Sequence, residues 1–235
     1  MIQLISDELP PSRLAVLADS YGWVTSPAPC QIMAVQNFGP DSLAICLDSP
    51  QIAGIEDDEG KDEPLGQHFL RHLKQGGIGL AVTTSTAYQC DLAMIFSASL
   101  LRRHPQWGEQ APGLERAIHE LVANALVHGN LQVASPKTGM EGFDTYCQSL
   151  DMALSDPKRS SRRIEISASC IDDMLEVAVR DQGPGYEFCR IIDTSDDAQP
   201  RQHGLAIISE IGRLTVEDGG RCSILRFSSA PPAAP

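Results

Sequence analysis

Glu120, Asn124 and His128 recur four residues apart in the stretch His119-Glu120-Leu121-Val122-Ala123-Asn124-Ala125-Leu126-Val127-His128-Gly129-Asn130. Positions four apart share one face of a helix. A carboxylate, a carboxamide and an imidazole therefore form a polar ridge, while Ala117, Ile118, Leu121, Ala125 and Leu126 turn inward. A carboxylate can take a proton, and a carboxamide oxygen can ligate a hard cation. An ordinary amphipathic helix capped by Gly129 has the same pattern, so the ridge gains weight from its context. Residues 174–180, Met-Leu-Glu-Val-Ala-Val-Arg, read as a strand that delivers Asp181 into the turn Gln182-Gly183-Pro184-Gly185. An Asp before Gly is also a common turn former. Next comes His203-Gly204-Leu205-Ala206-Ile207-Ile208-Ser209-Glu210-Ile211, a glycine opening a helix with apolar positions at Leu205, Ile207, Ile208 and Ile211. Residues 214–227 then read as two strands around Gly219-Gly220.

In this order the three elements resemble the boxes of the GHKL ATPase superfamily, the Bergerat-fold group that includes gyrase, the heat-shock-ninety chaperones, MutL, histidine kinases and the anti-sigma factor serine kinases. The helix E-x-x-x-N corresponds to the first box, D-x-G-x-G to the second, and the glycine at 204 to the last. The resemblance covers about residues 113–228, and the closing hairpin is like the end of the serine-kinase branch. It implies that ATP and Mg2+ bind here. Asn124 would ligate magnesium, and Glu120 would act as the catalytic general base towards a serine hydroxyl or a water. Asp181 would accept a hydrogen bond from the adenine amino group, with Gly183 and Gly185 bending the backbone beside the base. Gly204 and Leu205, at a helix start, would offer N–H groups to phosphate. Residues 186–202 would form a nucleotide lid whose only cationic side chains are Arg190 and Arg201.

Two departures bear on this. The last box normally reads G-x-G, whereas this chain has Gln202-His203-Gly204, and a side chain at 202 limits how closely backbone can approach a phosphate. An insert, residues 131–160, carries Phe143, Tyr146, Leu150 and Leu154 at helical spacing, with a stop at Ser155-Asp156-Pro157. It reads as extra packing or a partner surface. His119 and His128 are given no chemical step, because a histidine near a helix end is commonly a capping or packed residue.

The first half alternates strand-like and helix-like segments: 2–6, 13–21, 43–47, 65–74 and 78–83. Asp7-Glu8 and Asp48 after expected strands are faintly similar to a response-regulator receiver, but no Lys-Pro follows where a receiver has its phosphate-contacting lysine. The expectation is a degenerate receiver-like α/β module over 1–105 in which Asp48 is a turn residue before Pro50. The acidic run 56–64 reads as an exposed loop. The boundary falls between Arg102 and Pro112, where Pro105 and Gly108 break the pattern.

The 235 residues exceed one typical domain. A net charge of −13 argues against nucleic acid, whose non-specific binding depends on Lys and Arg, and suits a protein partner. Seven scattered cysteines without a C-x-x-C pair fit reduced thiols rather than a disulfide framework or a metal cluster. No basic segment followed by an apolar one opens the chain, and residues 78–101 carry too many hydroxyls to span a membrane, so a cytoplasmic protein is expected. The Ala/Pro tail, 229–235, reads as disordered.

The fold expectation is thus an α/β N-terminal module plus an α+β sandwich of Bergerat type at 113–228. The functional expectation is an ATP-binding regulator resembling anti-sigma factor serine/threonine kinases, which phosphorylates or sequesters a protein partner such as an antagonist or a sigma factor. Two alternatives stay open: a nucleotide-gated binding module without kinase activity, and a histidine-kinase-like catalytic domain. Whether the chain forms a homodimer is left open as well.

Overall fold

The computed structural model describes residues 1–57, 63–136, 139–185 and 212–228. It is a mixed α/β protein built on one eight-stranded sheet. Four strands, β1 (Ile2–Ile5), β2 (Cys30–Val35), β3 (Gln51–Glu56) and β4 (Ile78–Thr83), run parallel in sequential order. Four more, β5 (Arg163–Ile171), β6 (Met174–Arg180), β7 (Arg213–Glu217) and β8 (Cys222–Ser228), complete the order β1-β2-β3-β4-β5-β6-β8-β7. β4 pairs antiparallel with β5, Leu80 opposite Ile166, so strands from both halves of the sequence share one sheet.

Helices cover both faces. On one, α1 (Pro11–Tyr21) and α3 (Gln67–Lys74) pack over β1 to β4, with Leu4, Ile32, Ala34, Ile55, Phe69 and Leu73 in one apolar cluster. Coverage of both faces explains why these parallel strands are rich in apolar residues without strict alternation. On the other face lie α2 (Pro40–Ile45), α4 (Thr84–Gln89), α5 (Leu92–Arg103) and α6 (Ala111–Ala123). α6 has Pro112 in its first turn and buries Leu114, Ala117, Ile118, Leu121 and Val122, the spacing of one helical face. That face shares a core with Ile164 and Ile166 of β5, Val177 and Val179 of β6, and Phe227 of β8. α7 (Met140–Ser155) and the short α8 (Pro157–Ser160) follow, Asp156 capping α8 by accepting from Lys158 N.

β5 alternates cleanly, with Ile164, Ile166 and Ala168 towards α6 and Glu165, Ser167 and Ser169 towards α3. Asp172 and Asp173, with φ of 47° and 60°, join it to β6, the paired positive φ of a tight hairpin turn. The expected closing hairpin is formed by β7 and β8 around Asp218, Gly219 and Gly220, and the expected strand 174–180 is β6. Within the insert 140–155 and 157–160 are helical, and Tyr146, Leu150 and Leu154 pack against the core while Phe143 stays exposed.

Three expectations are corrected. Residues 43–47 are not a strand: Leu43, Ala44 and Ile45 lie in α2, where Gly39-Pro40-Asp41-Ser42 supplies a helix start that outweighs a short apolar run. β2 and β3 carry the sheet instead. The run 56–64 is not wholly an exposed loop, because Glu56 and Asp57 are buried at the end of β3. The parallel strands run 1-2-3-4, not in the 2-1-3-4-5 order that receivers share with flavodoxin.

Candidate functional site

The two sequence motifs meet at one point. α6 continues as a π-helical stretch, Asn124–Asn130, in which the Leu131 N–H reaches back to Leu126 O at 2.9 Å. Such wide turns interrupt a helix at some cost and recur at functional sites. This one brings Gly129 against the turn after β6, so close that a Cβ at Gly129 would lie 2.4 Å from Asp181 Cγ. A Cβ at Gly183 would lie 2.2 Å from Gly129 O, so only glycine fits at either position.

Asn130 fastens this junction. It is fully buried. Its Nδ2 donates to Thr84 Oγ1 at 2.8 Å and to Arg163 O at 3.0 Å, and its Oδ1 accepts from the Gln182 N–H at 2.7 Å. Gln182 carries the link onward, its Oε1 accepting from Arg163 N at 2.6 Å and its Nε2 donating to Glu63 Oε2 at 2.8 Å. One carboxamide thus ties the end of the helix box to the Asp181 turn, to β5 and to the start of α4. A buried carboxamide with all these bonds made specifies one arrangement, because losing any of them leaves a desolvated polar group.

Asp181 is 6% exposed and accepts the Gly183 N–H at 2.7 Å. Burial pushes its pKa up from 3.8 to about 6, against the pull of that N–H and of Arg180, Arg221 and Arg162. At neutral pH it is a poorly solvated carboxylate, disposed to accept a further N–H. Glu120 and Asn124 are half-buried at the α-to-π junction, and among the described residues neither makes a side-chain hydrogen bond or ion pair.

His128 is half-buried within the π-helical stretch. Its Nδ1–H donates to Val133 O at 2.7 Å, which holds the loop after the turn. His119 is exposed and lines a shallow hollow with Asp91, Met94 and Arg116. Gly185, with φ of 76°, abuts Gly219 O, where an added Cβ would lie 2.1 Å away, so the turn packs closely on the β7–β8 connection. Gly204, Leu205, Gln202 and the expected lid, 186–202, lie outside the described residues, as does the tail.

Asn130, Gln182 and Thr84 were not anticipated as parts of the site. The only trace of Asn130 in the sequence is its place directly after Gly129, and nothing local marks Thr84. In the first half, Asp48 is exposed in a turn and pairs with Arg102 at 3.0 Å, while Asp7 and Glu8 are exposed. No protein-family model matches the chain, and no curated protein matches it. Among the described residues no helix is long and apolar enough to cross a membrane.

Proposed function

We propose that the chain is a Bergerat-type ATP-binding regulator of the serine-kinase kind, acting on a protein partner. The observation that carries the reading is the junction of Gly129 and Asn130 with Asp181, Gln182 and Gly183, two motifs some fifty residues apart in sequence pressed into one polar seam. The residues fit Mg·ATP in kind: Asp181 offers a desolvated acceptor for an adenine amino group, and Asn124 a carboxamide oxygen, without a partner among the described residues, that suits magnesium. Bound Mg·ATP would supply the phosphoryl group and the charge neutralisation that transfer requires. Glu120, one turn before Asn124 and likewise without a partner among the described residues, would hold the proton of the attacking hydroxyl. Met140 and Phe143, three residues apart on one side of α7, are both exposed, an apolar pair that suits a protein partner better than water.

Gln202, in place of the first glycine of the last box, favours a second reading in which nucleotide binds and gates a partner surface without transfer. Calorimetric titration with ATP, with and without magnesium, tests both. The first reading expects magnesium-dependent binding that Asp181→Asn and Asn124→Ala abolish, and that Glu120→Ala leaves intact while ending phosphorylation of the partner. Binding without transfer in the unaltered chain supports the gating module. No saturable binding in the unaltered chain removes both.

A further inference from the structure

On the opposite face of the sheet, α3 and β6 bring together a second group of side chains that plays no part in the nucleotide reading. We propose that His68, His72 and Glu176 form a binding site for a divalent transition-metal ion, zinc by the nature of its donors, and that the Arg71 guanidinium competes with the ion for it.

His68 and His72 are one turn apart on α3 and so share a face, and Glu176 on β6 faces them across the packed interface. One ring nitrogen of each histidine and one Glu176 oxygen lie within 4.8 Å of one another. Glu176 Oε1 is 3.6 Å from His68 Nδ1 and 3.0 Å from His72 Nε2. A tetrahedral ion with bonds of about 2.0–2.1 Å requires its ligand atoms to be roughly 3.3 Å apart, so the two carboxylate–imidazole spacings need adjustment by only a few tenths of an ångström, and the two imidazoles, within 4.8 Å of each other, close onto the ion by side-chain rotation. Two imidazoles and a carboxylate are a zinc donor set that leaves a fourth position open.

The outer partners support the same assignment. His68 Nε2 is 3.0 Å from Glu217 Oε2, the carboxylate–imidazole arrangement that directs the other nitrogen's lone pair at a metal. His72 Nδ1 is 2.9 Å from Ser167 Oγ, and a hydroxyl can accept from that nitrogen as readily as donate to it, so the ring proton can move to Nδ1 and the Nε2 that now donates to Glu176 Oε1 can ligate when an ion enters. Arg226 Nε donates to Glu176 Oε2 at 2.7 Å and fixes the carboxylate with its other oxygen inward.

A cationic group already sits against all three donors. Arg71 Nη2 is 2.8 Å from His68 Nδ1, 3.5 Å from His72 Nε2 and hydrogen-bonded to Glu176 Oε1. Its side chain is 43% exposed and can swing into solvent when an ion enters. The competing assignment is an ion-pair network that only pins α3 to β6. The two differ in what removing Arg71 does: a network loses a member, whereas a metal site loses its competitor.

The test is titration of the full chain with zinc alone against a chromogenic chelator, with cobalt absorption as a report of tetrahedral geometry. The expected result is one ion per chain, at least tenfold tighter binding in Arg71→Gln, about tenfold weaker binding in Glu217→Gln, and loss of the tetrahedral cobalt bands in His68→Gln and in Glu176→Gln. His72 is wholly buried, so the half-buried His68 carries the test, with circular dichroism confirming that each variant is folded. Zinc uptake that survives both His68→Gln and Glu176→Gln would assign the ion to other groups and overturn the site. So would binding that Arg71→Gln weakens or leaves unchanged.

Discussion

β3 and β6 both end in buried acids, but the chain treats the two ends differently. At the end of β3, Glu56 accepts from Phe38 N at 2.8 Å, Thr86 Oγ1 at 2.6 Å and Thr83 N at 2.5 Å, and Asp57 is held by two bonds of 2.7 Å from Arg13. At the end of β6, Asp181 accepts a single side-chain hydrogen bond among the described residues, from Gly183 N. The first end has spent its acids on holding the fold. The second keeps acceptor capacity, at the cost of a charge that burial disfavours. A strand end with an acid marks a site only where the surrounding backbone leaves that acid unsatisfied.

This contrast can be broken by removing the saturated acid. Glu56→Ala strands two backbone N–H groups and a hydroxyl in the interior, and is expected to lower the unfolding free energy by about 3 kcal/mol or more, measured by urea denaturation. A smaller loss would mean that water or local rearrangement satisfies those donors.

A somewhat smaller effect sharpens the other half. Asp181 has a folded-state pKa of about 6 against an ordinary 3.8, so between those values the native state binds more protons than the unfolded chain. Stability contributed by this group is therefore present at low pH and falls as pH rises through the window, by on the order of 2 kcal/mol. Unfolding free energies of the unaltered chain and of Asp181→Asn, compared from pH 4 to 7, should converge at the acid end and separate towards neutrality, with the Asn variant the more stable. Parallel curves would show that the carboxylate is not desolvated.

Gly129→Ala sets a methyl 2.4 Å from Asp181 Cγ and should cost about 1–3 kcal/mol. Gly108→Ala, where a Cβ meets nothing within 4 Å, is the control and should leave the melting temperature nearly unchanged. Equal melting shifts in the two variants would deny the tight seam. Least of all, Arg102→Ala removes an exposed pair with Asp48, side chains 55% and 60% exposed, and should change stability by less than about 0.5 kcal/mol. A larger loss in denaturation would give the Asp48 end of the molecule a structural weight that its exposure does not suggest.

The pattern of residues alone determined a good deal of this protein. Apolar positions at 114, 117, 118, 121 and 122 make α6 and choose its inner face, because a helix must bury its one apolar stripe. Alternation in 163–171 and the Asp172-Asp173 turn make the β5–β6 hairpin, because side chains alternate across a strand. Periodicity was less use at 43–47, where a five-residue apolar run fits strand and helix alike and the start signal at Gly39-Pro40 decided for helix.

Tertiary structure alone decided the rest, since it depends on which surfaces meet. The pairing of β4 with β5 joins both halves in one sheet, and no local signal specifies a contact between residues some eighty positions apart. The widening of the helix at Asn124–Asn130 coincides with the seating of Gly129 on the Asp181 turn, a contact between distant segments. The choice of Asn130 as the fastener depends on groups supplied by three distant segments. Glu56 and Asp181 are both acids at the end of an apolar-rich strand; what separates them is the set of donors that the folded chain brings to each. Residue types fix which groups can do chemistry, but their solvation and their partners are properties of the packed interior, and those properties decide whether an acid holds the fold or waits for a ligand.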